Sequence, residues 1–116
     1  MSNAKLKISV VMSVYNGENS LEKTLLSVLS QEDCCFEFIV VDDGSTDSSS
    51  KILHDWELKD CRLHIIHQSN QGLTKALIRG CSRAKGQYIA RQDVGDISLP
   101  GRLRQQSEYL DCHRDV

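Results

Sequence analysis

The sequence predicts an α/β fold of three layers, a mainly parallel sheet with helices on both faces, and three observations predict it. Short β-branched apolar runs alternate with segments of helical periodicity, the links between them are short, and each apolar run leads into a polar cluster or a turn. Such alternation winds right-handedly, and ligands of such sheets sit beyond the C-terminal strand ends. The polar clusters "SVYNG", "VVDDGSTD" and "RQDVGD" fall there.

Met1-Ser2-Asn3-Ala4 has the look of an expression scar, so residues 1–6 are set aside as a scar and disordered start, and the domain is taken as 7–116. Residues 8–14, ISVVMSV, are almost continuously apolar or β-branched, as a central parallel strand covered on both faces requires. After Tyr15-Asn16-Gly17-Glu18, Asn19 with Glu22 three residues on has the capping-box pattern. The helix that follows, to about Ser30, buries Leu21, Leu25, Val28 and Leu29.

Residues 36–41 read as the second strand, and the segment from Asp42 to Asp47 supplies a turn and a helix start. That helix packs Ile52, Leu53 and Trp56. Residues 63–67 form a short third strand, and Leu73, Ala76, Leu77, Gly80, Cys81 and Ala84 mark one face of a helix ending at Gly86. Residues 87–90 are a fourth strand. Ser98 and Pro100 announce a last helix, with Pro100 near its first position and Leu103 and Leu110 facing inward. The predicted sheet is truncated after the fourth strand and this helix.

A chain of 116 residues suits one core. Charges nearly balance at a formal net of −2, with no basic stripe, which argues against nucleic acid as a partner. The apolar runs fall far short of the roughly 20 residues that span a bilayer, so a soluble, cytoplasmic protein is expected. The five cysteines form no C-x-x-C pair and read as reduced, mostly packing thiols. His54, His64, His67 and His113 lack metal-ligand spacing, and no nucleophile elbow is present.

The clusters carry the chemistry. Asp47 reads as a helix cap. Asp42 and Asp43 repel each other, and one helix does not need two caps, which favours a ligand for at least one of them. Tyr15 suits either stacking on a planar base or packing at a rim, while Ser13 and Asn16 offer hydrogen bonds. "NQGLTKALIRG" opens a helix whose N-terminus suits an anion, with Lys75 or Arg79 as countercharge or as part of a solvated basic face. Arg91, Asp93 and Asp96 lie where the fourth strand releases into the cleft.

Together, "ISVVMSVYNGENSLEKTLLSVLSQ", "FEFIVVDDGSTDSS", "NQGLTKALIRG" and "GQYIARQDVGDISLPGRL" resemble, in order and spacing, the amino-terminal half of the family-two inverting glycosyltransferases. The resemblance covers Ile8 to about Leu110 and implies the A-type (GT-A), Rossmann-like fold, with residues 7–116 as its nucleotide-sugar-binding part. It implies transfer of a sugar from a nucleoside-diphosphate sugar, first of all a UDP-sugar, to an acceptor hydroxyl with inversion, in polysaccharide or glycoconjugate synthesis.

By the same resemblance Ser13 and Tyr15 would line the nucleoside pocket, Asp43 with Asp42 beside it would hold base and ribose, and Lys75 would lie near the uridine or diphosphate side. Asp93 would contact the nucleotide, and Asp93 and Asp96 would hold Mg²⁺ or Mn²⁺. The catalytic base, and the part that binds an acceptor glycan or lipid-linked glycan, would lie beyond Val116. The chain alone is then expected to be inactive, and its parent protein to associate peripherally with the inner face of the membrane.

One position departs from the pattern. "DVGD" stands where the family writes "DADD", which puts Gly95 at the acid that normally binds the metal. Acids at i and i+2 of an extended segment project to one side about 6.5–7 Å apart, a spacing that Asp93 and Asp96 cannot copy. A turn at Gly95 is needed to bring Asp96 back toward Asp93. Without it, a non-catalytic nucleotide-binding or interaction module is the alternative.

Overall fold

A computed structural model describes residues 6–113; the expectation of a disordered start falls, for residues 1–5, outside them. The elements are β1 (Ile8–Val14), α1 (Leu21–Leu29), β2 (Phe36–Asp43), α2 (Ser49–Lys59), β3 (Leu63–Gln68), α3 (Leu73–Ser82), β4 (Tyr88–Arg91) and α4 (Arg102–Cys112). The strands form one parallel sheet in the order β3-β2-β1-β4. The chain thus steps outward from β1 through β2 to β3, then crosses back to place β4 on the other side of β1. Strand order reverses between β1 and β4, and a crevice opens at the C-terminal ends of strands at such a point.

Both faces of the sheet are covered, because β1 and β2 are apolar at consecutive positions rather than alternating ones. On one face Val10, Met12 and Val14 of β1 and Phe36, Phe38 and Val40 of β2 pack with Leu21, Leu25 and Val28 of α1, Leu53 of α2 and Leu103 of α4. On the other, Ile39, Val41 and Ile66 pack against Ala76 of α3. α3 approaches closely because its contact residues are small: a Cβ on Gly80 would lie 2.6 Å from Val11 Cγ1.

The crossing from α3 to β4 is pinned by a buried acid. Glu37 Oε2 accepts the Ser9 hydroxyl at 2.5 Å and the Lys85 N–H at 2.7 Å, while Ser9 Oγ accepts the Gly86 N–H at 2.8 Å. A Cβ on Gly86 would stand 2.6 Å from the Ser9 nitrogen, so only glycine allows this contact.

Several boundaries differ from the sequence expectation. The capping box is not made: the Ser20 and Leu21 N–H groups both donate to the Gly17 carbonyl, at 3.1 and 3.0 Å, and a turn delivers the chain to α1 without Asn19 or Glu22 as caps. β2 runs on to Asp43, and β4 is shifted to Tyr88–Arg91. α3 ends at Ser82, and Leu73 and Cys81 are exposed because the stripe touching the sheet is narrow. α4 begins after Gly101, whose φ of +81° ends the Leu99-Pro100 turn, so Pro100 precedes the helix. Of the cysteines only Cys34 is half-buried; Cys35, Cys61, Cys81 and Cys112 are exposed free thiols.

Candidate functional site

Strand geometry decides the fate of the two adjacent acids. Successive side chains on β2 point to opposite faces, so Asp42 and Asp43 part company although each is only 2 % exposed. Asp42 turns to the α2 side, where its carboxylate accepts the Ser45 N–H at 3.1 Å and the Ser50 hydroxyl and meets His67 Nδ1 at 3.3 Å. Asp43 turns to the α3 side. There it accepts Gln68 Nε2 at 2.8 Å, the Gln71 N–H at 2.8 Å, the Gly72 N–H at 3.0 Å and Asn70 Nδ2 at 3.4 Å.

Burial works against ionising Asp43, yet the hydrogen bonds from Gln68, Gln71 and Gly72 outweigh it and hold its carboxyl below the ordinary range. Alternation separates the charges, and each acid is satisfied by the chain itself, Asp42 anchoring α2 and Asp43 the loop that opens α3.

The first two loops are laced together. Asn16, at a φ of +52°, accepts the N–H groups of Thr46 and Asp47 on Oδ1, at 2.7 and 3.2 Å, and donates its own N–H to Ser45 Oγ at 3.0 Å. Gly17 N–H donates to Ser49 Oγ, Glu18 N–H to Asp47 Oδ2, and Ser48 N–H to Glu18 Oε2. Asp47 Oδ1 also takes the N–H of Ser49, the first residue of α2, at 2.9 Å, although the N-cap position itself is Ser48. The lacing spends the Asn16 carboxamide oxygen inside the protein, while Tyr15 is 54 % exposed and Ser13 half-buried. Lys75 is exposed on the first turn of α3 and makes no ion pair among the described residues.

Beyond β4 the turn that Gly95 allows does form. The Asp96 N–H donates to the Asp93 carbonyl at 3.1 Å, Gly95 sits at a φ of +99°, and its N–H is tied to Thr24 Oγ1 of α1 at 3.0 Å. Gln92 braces the turn from within. Only 3 % exposed, it donates Nε2 to the Asp96 carbonyl at 2.9 Å and accepts Ser98 Oγ and Arg102 Nη1 on Oε1, each at 2.7 Å. Arg91 Nε donates to Asp93 Oδ1 at 2.9 Å as an ion pair.

These residues line an open pocket of about 340 Å³ that holds Asp93, Asp96, Arg91 and Arg102 together. Ser13, Tyr15, Asp42, Asp43 and Lys75 are not among its walls. Gln92 and Arg102 were not visible as site residues from sequence; the signal was a polar residue at a strand end with Ser and Arg six and ten positions on, meaningful only once the chain turns back.

A parallel sheet whose strand order reverses between β1 and β4, with polar residues at its C-terminal strand ends, defines a Rossmann-like α/β domain. The chain belongs to glycosyl transferase family 2, which it matches over residues 9–116. It is 39 % identical over 114 residues to EpsE of Bacillus subtilis (strain 168), a protein named as a glycosyltransferase, with 97 % of this chain and 41 % of EpsE covered. It therefore spans about two fifths of that relative.

Among solved structures it superimposes on S. aureus TarS 1-349 in complex with UDP-GlcNAc with a TM-score of 0.86 at 27 % identity, covering 94 % of this chain and 32 % of that one. The mannosyltransferase PcManGT from Pyrobaculum calidifontis, in complex with GDP-Man and Mn²⁺, shares the fold with a TM-score of 0.81 at 23 % identity over 93 % of this chain and 33 % of that one. The fold is the A-type fold of these enzymes.

Proposed function

We propose that these residues form the donor-binding part of an inverting glycosyltransferase that takes a nucleoside-diphosphate sugar, a UDP-sugar first of all, and delivers the sugar to an acceptor hydroxyl. The observation that carries this reading is that the polar loops after β1, β2 and β4 lie at the C-terminal ends of a parallel sheet whose strand order reverses between β1 and β4, with Tyr15 and Lys75 exposed. The likeness to TarS bound to UDP-GlcNAc supports the uridine nucleotide.

In this reading Tyr15 stacks on the base with Ser13 beneath it, and Lys75 meets the uridine or diphosphate side. Asp43, with Asp42 beside it, holds base and ribose, and their hydrogen bonds to the chain fix residues 70–72 and the loop before α2 around them. Asp93 and Asp96 accept donor hydroxyls. The catalytic base and the site for a glycan or lipid-linked glycan acceptor lie outside residues 7–116, with the whole protein acting in polysaccharide or glycoconjugate synthesis at the inner face of the membrane. Among the described residues no helix is long and apolar enough to cross a membrane.

Mg²⁺ or Mn²⁺ at Asp93 and Asp96 is what the family pattern calls for, and the residues do not fit it. Gly95 offers no carboxylate, Asp93 is paired with Arg91, and Arg102 puts a second guanidinium in the same pocket. No group of three His, Cys, Asp or Glu side chains able to hold an ion exists among the described residues.

Calorimetric titration with uridine diphosphate tests the proposal. Stacking on an aromatic ring contributes about 1–3 kcal/mol, so Tyr15→Ala is expected to weaken binding roughly 5- to 150-fold, with Lys75→Ala weakening it less. Absence of binding by the unsubstituted chain overturns the reading.

A further inference from the structure

We propose that the donor diphosphate is held without a divalent metal, with the Arg102 guanidinium as the fixed cation in the metal's place. This inference rests on the donor-binding reading and goes beyond it in naming the charge that meets the phosphates.

The missing acid is not a matter of space. A Cβ built on Gly95 meets nothing closer than Ser20 Oγ at 3.9 Å. The backbone excludes it instead: at a φ of +99° an L-residue is strained, and the Gly95 N–H bond to Thr24 holds that conformation. The turn that brings Asp93 and Asp96 into one pocket is therefore the same feature that disfavours a carboxylate between them.

The positive charge is supplied from elsewhere. Arg102 donates Nη1 to Gln92 Oε1 at 2.7 Å and to Ser98 Oγ at 2.8 Å, and Nη2 to the Arg91 carbonyl at 3.1 Å. All three acceptors are neutral. They orient the guanidinium without cancelling its charge, and Arg102 makes no ion pair among the described residues. Of the five guanidinium N–H donors, Nε–H and one on Nη2 make no hydrogen bond among the described residues and are available to phosphate oxygens.

Arg91 differs, because its charge is matched by Asp93 at 2.9 Å. Among the residues that line the pocket, Arg102 is thus the cation held in place by neutral groups and without an ion pair among the described residues. Asp96, exposed and without an ion pair among the described residues, is left for sugar hydroxyls.

The test is uridine diphosphate binding by calorimetry at constant ionic strength, in excess EDTA and again with Mn²⁺, using the full chain. Affinities within about threefold of each other are expected, and Arg102→Gln is expected to lower affinity about tenfold or more in both conditions, as loss of a charge-assisted hydrogen bond does. Arg102→Lys, which keeps the charge but loses the fork, should fall between. Binding abolished by EDTA and restored by Mn²⁺ overturns the inference and leaves the donor-binding reading intact. No binding in either condition overturns both. Because the EDTA comparison uses the unsubstituted protein, it decides the matter even if Arg102→Gln fails to fold; a folded Arg102→Gln with unchanged affinity also overturns the role given to Arg102.

Discussion

Asp43 carries four hydrogen bonds from three consecutive residues and Gln68, so its charge and the path of residues 70–72 depend on each other. Its carboxyl is held below its unfolded value, which is near 3.9. Stability from this group is thus fully present above the unfolded value and is lost as the pH falls through the folded one. Asp43→Asn is expected to flatten the acid limb of stability against pH in thermal melts. Asp43→Ala, which strands the Gln71 and Gly72 N–H groups, is expected to cost about 2–3 kcal/mol in urea titrations. An unchanged acid limb in Asp43→Asn would show that the titrating group lies elsewhere. The residue types in this site were legible in the sequence, but their partners were not. Repulsion between Asp42 and Asp43 is a fact of adjacency, whereas its relief comes from the alternation of a strand that runs two residues longer than the apolar run suggested. Gln92 was silent because its contacts, Asp96, Ser98 and Arg102, gather only after the chain folds back at Gly95.

Among the elements, α3 shows where helical periodicity informs and where it misleads. Its spacing located the helix and the side that meets the sheet, yet it gave weight to Leu73 and Cys81, both exposed, and too little to Gly80. Contact width follows from how closely the axis approaches, and here Ala76 and Gly80 let α3 settle onto β1 and β2. Gly80→Ala pits two effects against each other. Helix propensity gains up to about 1 kcal/mol, but the added Cβ would stand 2.6 Å from Val11 Cγ1 and 3.3 Å from Val41 Cγ2, inside a core that cannot yield on both sides. Overpacking wins, and a net loss of about 1–2 kcal/mol is expected by chemical denaturation. Ile78→Ala, at a position 64 % exposed on the same helix, is the control and should change stability by less than about 0.5 kcal/mol. Equal effects from the two would mean that α3 rides higher on the sheet than described.

At the scale of the whole molecule, the fold class followed from alternation alone, while the strand order did not, since local pattern cannot say on which side of β1 the fourth strand lands. That order puts β1 and β2 in the middle of the sheet with a core on each face. The two cores share the same backbone, so neither can be lost while the other keeps its strands. Trp56 lies half-buried against the α1, α2 and α4 core, and Gly80 lies on the opposite face. If the chain unfolds as one unit, as small single domains do, damage on one face must be reported in full on the other. Gly80→Ala is therefore expected to lower the midpoint of Trp56 fluorescence unfolding by the same amount as the midpoint from far-ultraviolet circular dichroism. A dichroism midpoint that falls while the fluorescence midpoint stays would show that α3 detaches by itself, taking Lys75 on its first turn away from the sheet.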